Sequence, residues 1–172
     1  MRIDIAEAMI CEMILKSIEQ DDVKAIEAVL SGGVDPNKPL PSTGFSMLYV
    51  AATMPGDHAE VVQVLLNGGA RPNGLTHEGL SRLYVAAQQG NSKCMRALIR
   101  AGADVNFTTR GYQATPLINA SEEGMLGAVQ ALVEAGADVN RRNKLGTTAL
   151  GSAIKSGHLH VANYLQSHGA IQ

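Results

Sequence analysis

Short apolar runs with helical spacing recur in pairs along this chain, separated by polar turns. The clearest pair lies near the middle. Thr76-His77-Glu78-Gly79 reads as a turn, and the run Ser81-Arg82-Leu83-Tyr84-Val85-Ala86-Ala87 then opens a helix with Ser81 as its N-cap. Gly90-Asn91 breaks it. The following run, 92–100, places Cys94, Met95, Leu98 and Ile99 on one face, which predicts a second amphipathic helix. Gly102 closes that helix as the left-handed residue after its end. Ala86 and Ala87 are small enough for the first helix to pack closely against its neighbours. Towards the N-terminus, Ile14, Leu15 and Ile18 predict one helix, with residues 1–12 extending it. Ala25, Ile26, Val29 and Leu30 predict the next. Asp21-Asp22 sits between the two and favours the start of the second through charge and a capping oxygen.

The pairs are copies of one unit. Val34-Asp35-Pro36-Asn37, Ala70-Arg71-Pro72-Asn73, Ala103-Asp104-Val105-Asn106 and Ala137-Asp138-Val139-Asn140 each follow a glycine (Gly33, Gly69, Gly102, Gly136). Their asparagines lie 36, 33 and 34 residues apart. A period near 33 residues marks a repeat protein whose unit is a turn and two helices. Such a chain has an extended surface rather than an enclosed active site.

The residues GLSRLYVAAQQGN and KCMRALIRAGADVN resemble the ankyrin repeat. Its pattern runs G-x-T-P-L-H-x-A-A-x-x-G-H, then a second helix and L-L-x-x-G-A-D-V-N. The unit around Thr115-Pro116-Leu117 matches through Ala120, Gly124, Leu132 and Gly136 to Asn140. An earlier unit matches at Gly44-Phe45-Ser46, Leu48, Ala51-Ala52 and 61–66, and the last at Gly146 to Leu150, Ala153, Gly157-His158 and Gly169-Ala170. The resemblance covers roughly residues 18–172. It implies an all-α solenoid of about five units in a single domain, 1–172. An N-terminal cap would span 1–37, internal repeats 38–73, 74–106 and 107–140, and a C-terminal cap repeat 141–172. The last unit is polar at Lys155, His160, Asn163, Gln166 and Ser167, as a solvated solenoid end requires. Both ends read as caps, the organisation expected of a complete protein.

The departures from the family pattern are specific. Tyr49, Tyr84, Ile118 and Gly151 stand where the family has a histidine that hydrogen-bonds between turns, so the turns must be held differently here. Tyr49 and Tyr84, at a structural position, are expected to point inward. Extra residues fall around Thr53-Met54-Pro55-Gly56-Asp57, near Lys38-Pro39-Leu40-Pro41, and at Gly111-Tyr112-Gln113. Insertions in repeat proteins fall in loops, often on the binding side.

Composition narrows the function. Fourteen Lys and Arg against 16 Asp and Glu give a net charge of −2, a poor basis for neutralising phosphates, so nucleic acid is not expected as a partner. No apolar stretch reaches the 18 residues of a membrane span, and 1–20 lacks the pattern of a signal peptide. Cys11 and Cys94 show no metal spacing and read as buried thiols, which points to a cytoplasmic protein; a nucleus, or a host cytosol reached by bacterial secretion, stays open. No nucleophile elbow, phosphate loop or dinucleotide fingerprint occurs, and the glycines are periodic turn and cap residues. His158 and His160, two apart, do not share a helix face, and Glu122-Glu123 lacks a partner for acid–base work. No catalytic residue, cofactor or metal is expected, and the chain reads as a monomer that is not an enzyme.

The resemblance implies where a partner would bind, since ankyrin repeats use a concave groove of turn tips and exposed first-helix residues. Carried across position by position, that groove comprises Ser42, Thr43, Phe45, Thr53 and Met54, then His77, Glu78, Leu80, Gln88 and Gln89. Arg110, Tyr112, Glu122 and Glu123 follow, then Lys144, Leu145, Thr147 and Lys155. Phe45, Tyr112, Leu80 and Leu145 are the apolar and aromatic tips, which suit a protein partner because aromatic anchors dominate interface energies. Glu78, Glu122 and Glu123 make the middle acidic, and Lys144 and Lys155 make the C-terminal end basic. The resemblance also marks Asn106 and Asn140 as positions of the kind a eukaryotic asparaginyl hydroxylase modifies. The implied function is a non-enzymatic protein–protein interaction module that binds a partner protein or peptide. The alternatives are a regulatory inhibitor or adaptor subunit of an enzyme, or a bacterial effector acting in a host cell. The full-length segment Ser46–Thr53 argues against the cyclin-dependent kinase inhibitors, whose corresponding helix is short.

Overall fold

A computed structural model describes residues 5–56 and 58–171. The expected helical extension over residues 1–4, Asp57 of the inserted loop and Gln172 lie outside the described residues. Ten helices occur among the described residues, in pairs: α1 (Ile5–Glu19) with α2 (Val23–Ser31), α3 (Met47–Thr53) with α4 (Ala59–Asn67), α5 (Arg82–Gln89) with α6 (Ser92–Arg100), α7 (Pro116–Glu122) with α8 (Leu126–Glu134), and α9 (Ala149–Lys155) with α10 (Leu159–Ser167).

The N-terminus of each first helix in the repeats is set by a hydroxyl. Ser46, Ser81, Thr115 and Thr148 each accept a hydrogen bond from the backbone N–H three residues on, at Tyr49, Tyr84, Ile118 and Gly151. Asp22 does the same for Ala25 at the start of α2. Helices of seven to nine residues are marginal in isolation, so stability must come from stacking. First helices α1, α3, α5, α7 and α9 pack in one row and second helices α2, α4, α6, α8 and α10 in another. Between the rows runs a single core through Ile14, Ile18, Ile26, Met47, Leu48, Leu65, Leu83, Met95, Leu98, Leu117, Leu132 and Leu150, all essentially water-free. Each such side chain contributes about 1.5–3 kcal/mol on burial. Ala51, Ala52, Ala86 and Ala87 are fully buried, as close packing of the first-helix row demands.

The unit boundaries carry a repeated set of side-chain hydrogen bonds. Asn37 Nδ2 donates to Gly69 O at 3.0 Å while its Oδ1 accepts from Arg71 N at 2.9 Å. Asn73 clasps Gly102 O and Asp104 N in the same way, and Asn140 clasps Gly169 O and Ile171 N. Asn106 Oδ1 accepts from Asp138 N at 2.9 Å. The repeated asparagine therefore fastens each unit to the next.

The residues that start the second helices also reach backwards. Asn91 Nδ2 donates to Ala52 O and Met54 O, both at 3.1 Å. His58, which closes the inserted loop, is buried with Nδ1 2.8 Å from Asp21 Oδ1 of the cap and Nε2 3.1 Å from Pro55 O. Cys11 and Cys94 are both buried, and neither forms a disulfide among the described residues. The polar outer residues of the last unit are exposed as expected, but Ile154, Leu159 and Ile171 are exposed among them. Met9, Ile10 and Met13 are exposed on α1.

Candidate functional site

A turn precedes each of the first helices α3, α5, α7 and α9. Its form is clearest before α5, where Leu75 and Ser81 form an isolated antiparallel bridge and Thr76 N donates to Leu80 O at 2.9 Å. His77 and Glu78 occupy the exposed tip, and Leu80 lies half-buried at its base. The next tip carries Arg110, exposed, and Tyr112, 66% exposed. Neighbouring tips are linked, because Lys144 N donates to Tyr112 O at 2.9 Å. Leu145, 72% exposed, crowns the last tip, with Lys144 exposed beside it and Thr147 half-buried. Asn143 Oδ1 organises that tip by accepting from the N–H groups of Leu145 and Thr147.

The first-helix ends continue this surface. Gln88, Gln89, Glu122, Glu123 and Lys155 are exposed. Thr53 is half-buried, with its hydroxyl donating to Tyr49 O at 2.7 Å. Met54 is half-buried against the core while its carbonyl serves the Asn91 link. Ser42 is exposed and lies 2.9 Å from Cys11 Sγ; Thr43 Oγ1 accepts from Phe45 N. Asn106 is half-buried and Asn140 exposed, and both side chains serve the clasps between units.

Tyr49 and Tyr84, expected to point inward, are both half-buried. The Tyr49 ring stacks on Phe45 with centroids 4.3 Å apart, and Phe45 stacks in turn on His77 at 5.8 Å. Tyr49, Phe45 and His77 thus form one aromatic column spanning two units. Burial raises the Tyr49 hydroxyl above its ordinary range, and the Glu78 charge raises it further against a lowering contact with Thr53. Burial also raises Tyr84, followed by Glu122 and Glu123. Tyr84 therefore sits in the field of the acidic pair.

Arg82, unmarked in the sequence reading, is the other addition. It is the first residue of α5, is only 8% exposed, and its Nη2 donates to Ser46 Oγ at 2.8 Å. Its registry equivalents at the starts of α3, α7 and α9 are Met47, Pro116 and Ala149, all buried. A charge at a position otherwise apolar was the available signal, visible once the four units are aligned on their hydroxyl caps.

The described residues hold no cluster of three or more His, Cys, Asp or Glu arranged to bind a metal, and no helix among them is long and apolar enough to cross a membrane.

A family model described as ankyrin repeats in three copies matches residues 13–109 and 83–172. The chain is 33% identical over 99 residues to "SH3 and multiple ankyrin repeat domains protein 2" of Homo sapiens, covering 58% of this chain and 5% of that protein. It is 28% identical over 155 residues, 90% of its length, to "Glycerophosphocholine phosphodiesterase gde1" of Schizosaccharomyces pombe, of which it covers 14%. Over 78 residues, 45% of the chain, it is 36% identical to "NF-kappa-B inhibitor delta" of Mus musculus, covering 23% of that protein. The chain thus spans less than a quarter of the length of each of these relatives. With the family match running across nearly all of its repeats, the chain belongs to the ankyrin-repeat family.

Proposed function

We propose that this chain is a non-enzymatic binding module that captures a partner protein or peptide in the groove formed by its turn tips and first-helix ends. Ankyrin repeats generally mediate protein–protein interaction and are not themselves catalytic. The observation that carries the reading is the line of apolar and aromatic groups along the turns: the half-buried Phe45 and Tyr49 stacked with the exposed His77, then the exposed Tyr112 and Leu145. Aromatic groups on a rigid scaffold are the usual anchors of an interface. Four adjoining units offer room for a standard interface of about 800 Å² on this side. Glu78, Glu122 and Glu123 beside those anchors favour a partner carrying basic residues, by steering and by register.

Function as an adaptor or inhibitor follows if the captured protein is a signalling component or an enzyme, and the resemblance to an NF-kappa-B inhibitor favours that variant. The buried thiols Cys11 and Cys94 suit a reducing, cytoplasmic setting. The module acts as a monomer that binds neither nucleic acid nor membrane.

Selection from a randomised peptide library tests the reading. The wild type is expected to enrich a common motif, and a Phe45→Ala/Tyr112→Ala variant with unchanged helicity and melting is expected to lose it. Retention of the same motif by that variant would place binding on another face.

A further inference from the structure

Between the tip before α3 and the tip before α5 lies a cleft of about 140 Å³, bordered by Phe45, Ser46, Tyr49, Thr76 and His77, with Arg82 as its buried wall. Taken at about 30 Å³ per water, that space equals four or five waters. It suits one small polar group and is too small for a drug-sized ligand.

Arg82 is the feature that makes the cleft unusual. Its Nη2 is bonded to Ser46, but Nε and Nη1 are buried without any hydrogen-bond partner. None of the ion pairs among the described residues includes it. Burial holds the guanidinium below its ordinary range, with no opposing charge acting on it. A buried guanidinium with neither a carboxylate nor a full set of acceptors is costly, and native proteins pair such groups. The chain has a ready apolar solution for this slot, since Met47, Pro116 and Ala149 fill it in the other units. Gly74 is the complementary adaptation, because a Cβ there would run into Nη1. Arginine at this position is therefore tolerated only by a neighbour that makes room for it.

We infer that the cleft receives an anionic side chain of the bound peptide, whose carboxylate or phosphate oxygens accept from Arg82. The inference rests on the groove reading above and deepens it. The partner motif combines an acidic group beside the Tyr49–Phe45–His77 column with basic residues opposite Glu122 and Glu123. Planar, multiply donating arginine suits both oxyanions, so the anchor is Asp, Glu or a phosphorylated serine.

Two measurements separate failure of this inference from failure of the groove reading. The first needs no partner. Melting of the wild type, Arg82→Met and Arg82→Lys is followed in acetate, inorganic phosphate and chloride at matched ionic strength. The wild type should melt higher in acetate or phosphate than in chloride, and Arg82→Met should lack that increment. Equal increments in both proteins would overturn the anion site whatever the groove binds. The second repeats the peptide selection with Arg82→Met, followed by synthetic peptides bearing Asp, Glu, phosphoserine or alanine at the anchor. The wild type should favour an acidic anchor over alanine by about tenfold or more, a preference Arg82→Met loses. Preference for phosphoserine over Asp and Glu identifies phosphate as the source; the reverse identifies a carboxylate. A wild-type motif without an acidic position, or one kept by Arg82→Met, overturns the inference and leaves the groove intact. A selection yielding no motif from the wild type sinks the groove reading itself, and with it this inference.

Discussion

The carboxamide of Asn73 accepts a hydrogen bond from the backbone N–H of Asp104 at 2.9 Å, 31 residues along the chain and in the next unit. The same side chain donates to Gly102 O at 2.8 Å, so one residue satisfies a donor and an acceptor across a unit boundary. Asn37 and Asn140 repeat the geometry. Asn73→Ala is expected to cost about 1–2 kcal/mol, the loss of two exposed hydrogen bonds. In a solenoid, where neighbour stacking supplies cooperativity, its urea transition should also broaden. Asn140→Ala should mainly loosen the last unit. Hydrogen exchange resolved by residue would separate the two, with fast exchange confined to residues 149–167 for Asn140→Ala.

Ser46 has two tasks, capping α3 through Tyr49 N and accepting from Arg82. Ser46→Ala should cost about 1–2 kcal/mol for the cap alone, and more in the wild type because it strips Arg82 of its one acceptor. In an Arg82→Met background the extra loss should vanish. A denaturant double-mutant cycle reads this as a coupling of about 1 kcal/mol. Additive costs would show that the 2.8 Å bond carries no stability.

Two glycines distinguish backbone strain from crowding. Gly136 and Gly124 both have positive φ, at 83° and 70°. An added Cβ at Gly136 meets nothing within 4 Å, whereas at Gly124 it falls 2.6 Å from the His158 ring. Gly136→Ala should cost about 1–2 kcal/mol from the left-handed conformation. Gly124→Ala should cost at least about 1 kcal/mol more, through the displaced imidazole. Equal melting temperatures for the two variants would contradict this.

Tyr84 gives a pH signature. Its folded hydroxyl is raised above the unfolded value, so folding favours the protonated form. That contribution is complete below the unfolded tyrosine range near pH 10 and is lost as pH rises through the higher folded value. Above the unfolded value the unfolded chain binds fewer protons, so stability falls with pH. Phenolate absorbance during alkaline titration should show Tyr84 ionising earlier in Glu122→Gln/Glu123→Gln than in the wild type, and Tyr84→Phe should reduce the alkaline loss of stability.

The helices were legible because their signals are local. Ser81 and Thr115 precede first helices, Gly102 and Gly136 follow second ones, and the apolar spacing of Cys94, Met95 and Leu98 repeats in kind. The exposed anchors Tyr112 and Leu145 were legible for the same reason, since a turn tip has nothing to fold onto. What escaped depends on contacts between units. Phe45 stacks on His77 of the next unit, and His58 meets Asp21 across 37 residues. Arg82 looks like an ordinary surface arginine until its slot is seen to be the buried one that Met47 fills next door.

The most direct test of the groove as the working surface is amide-resolved NMR of the chain titrated with a peptide selected by the wild type. Shift changes are expected along residues 43–49, 75–82, 110–113, 122–123 and 143–147. The outward faces of α4, α6 and α8 should stay unchanged. Changes concentrated on those second helices, or on the exposed Met9, Ile10 and Met13 of α1, with the turn tips silent, would contradict the account.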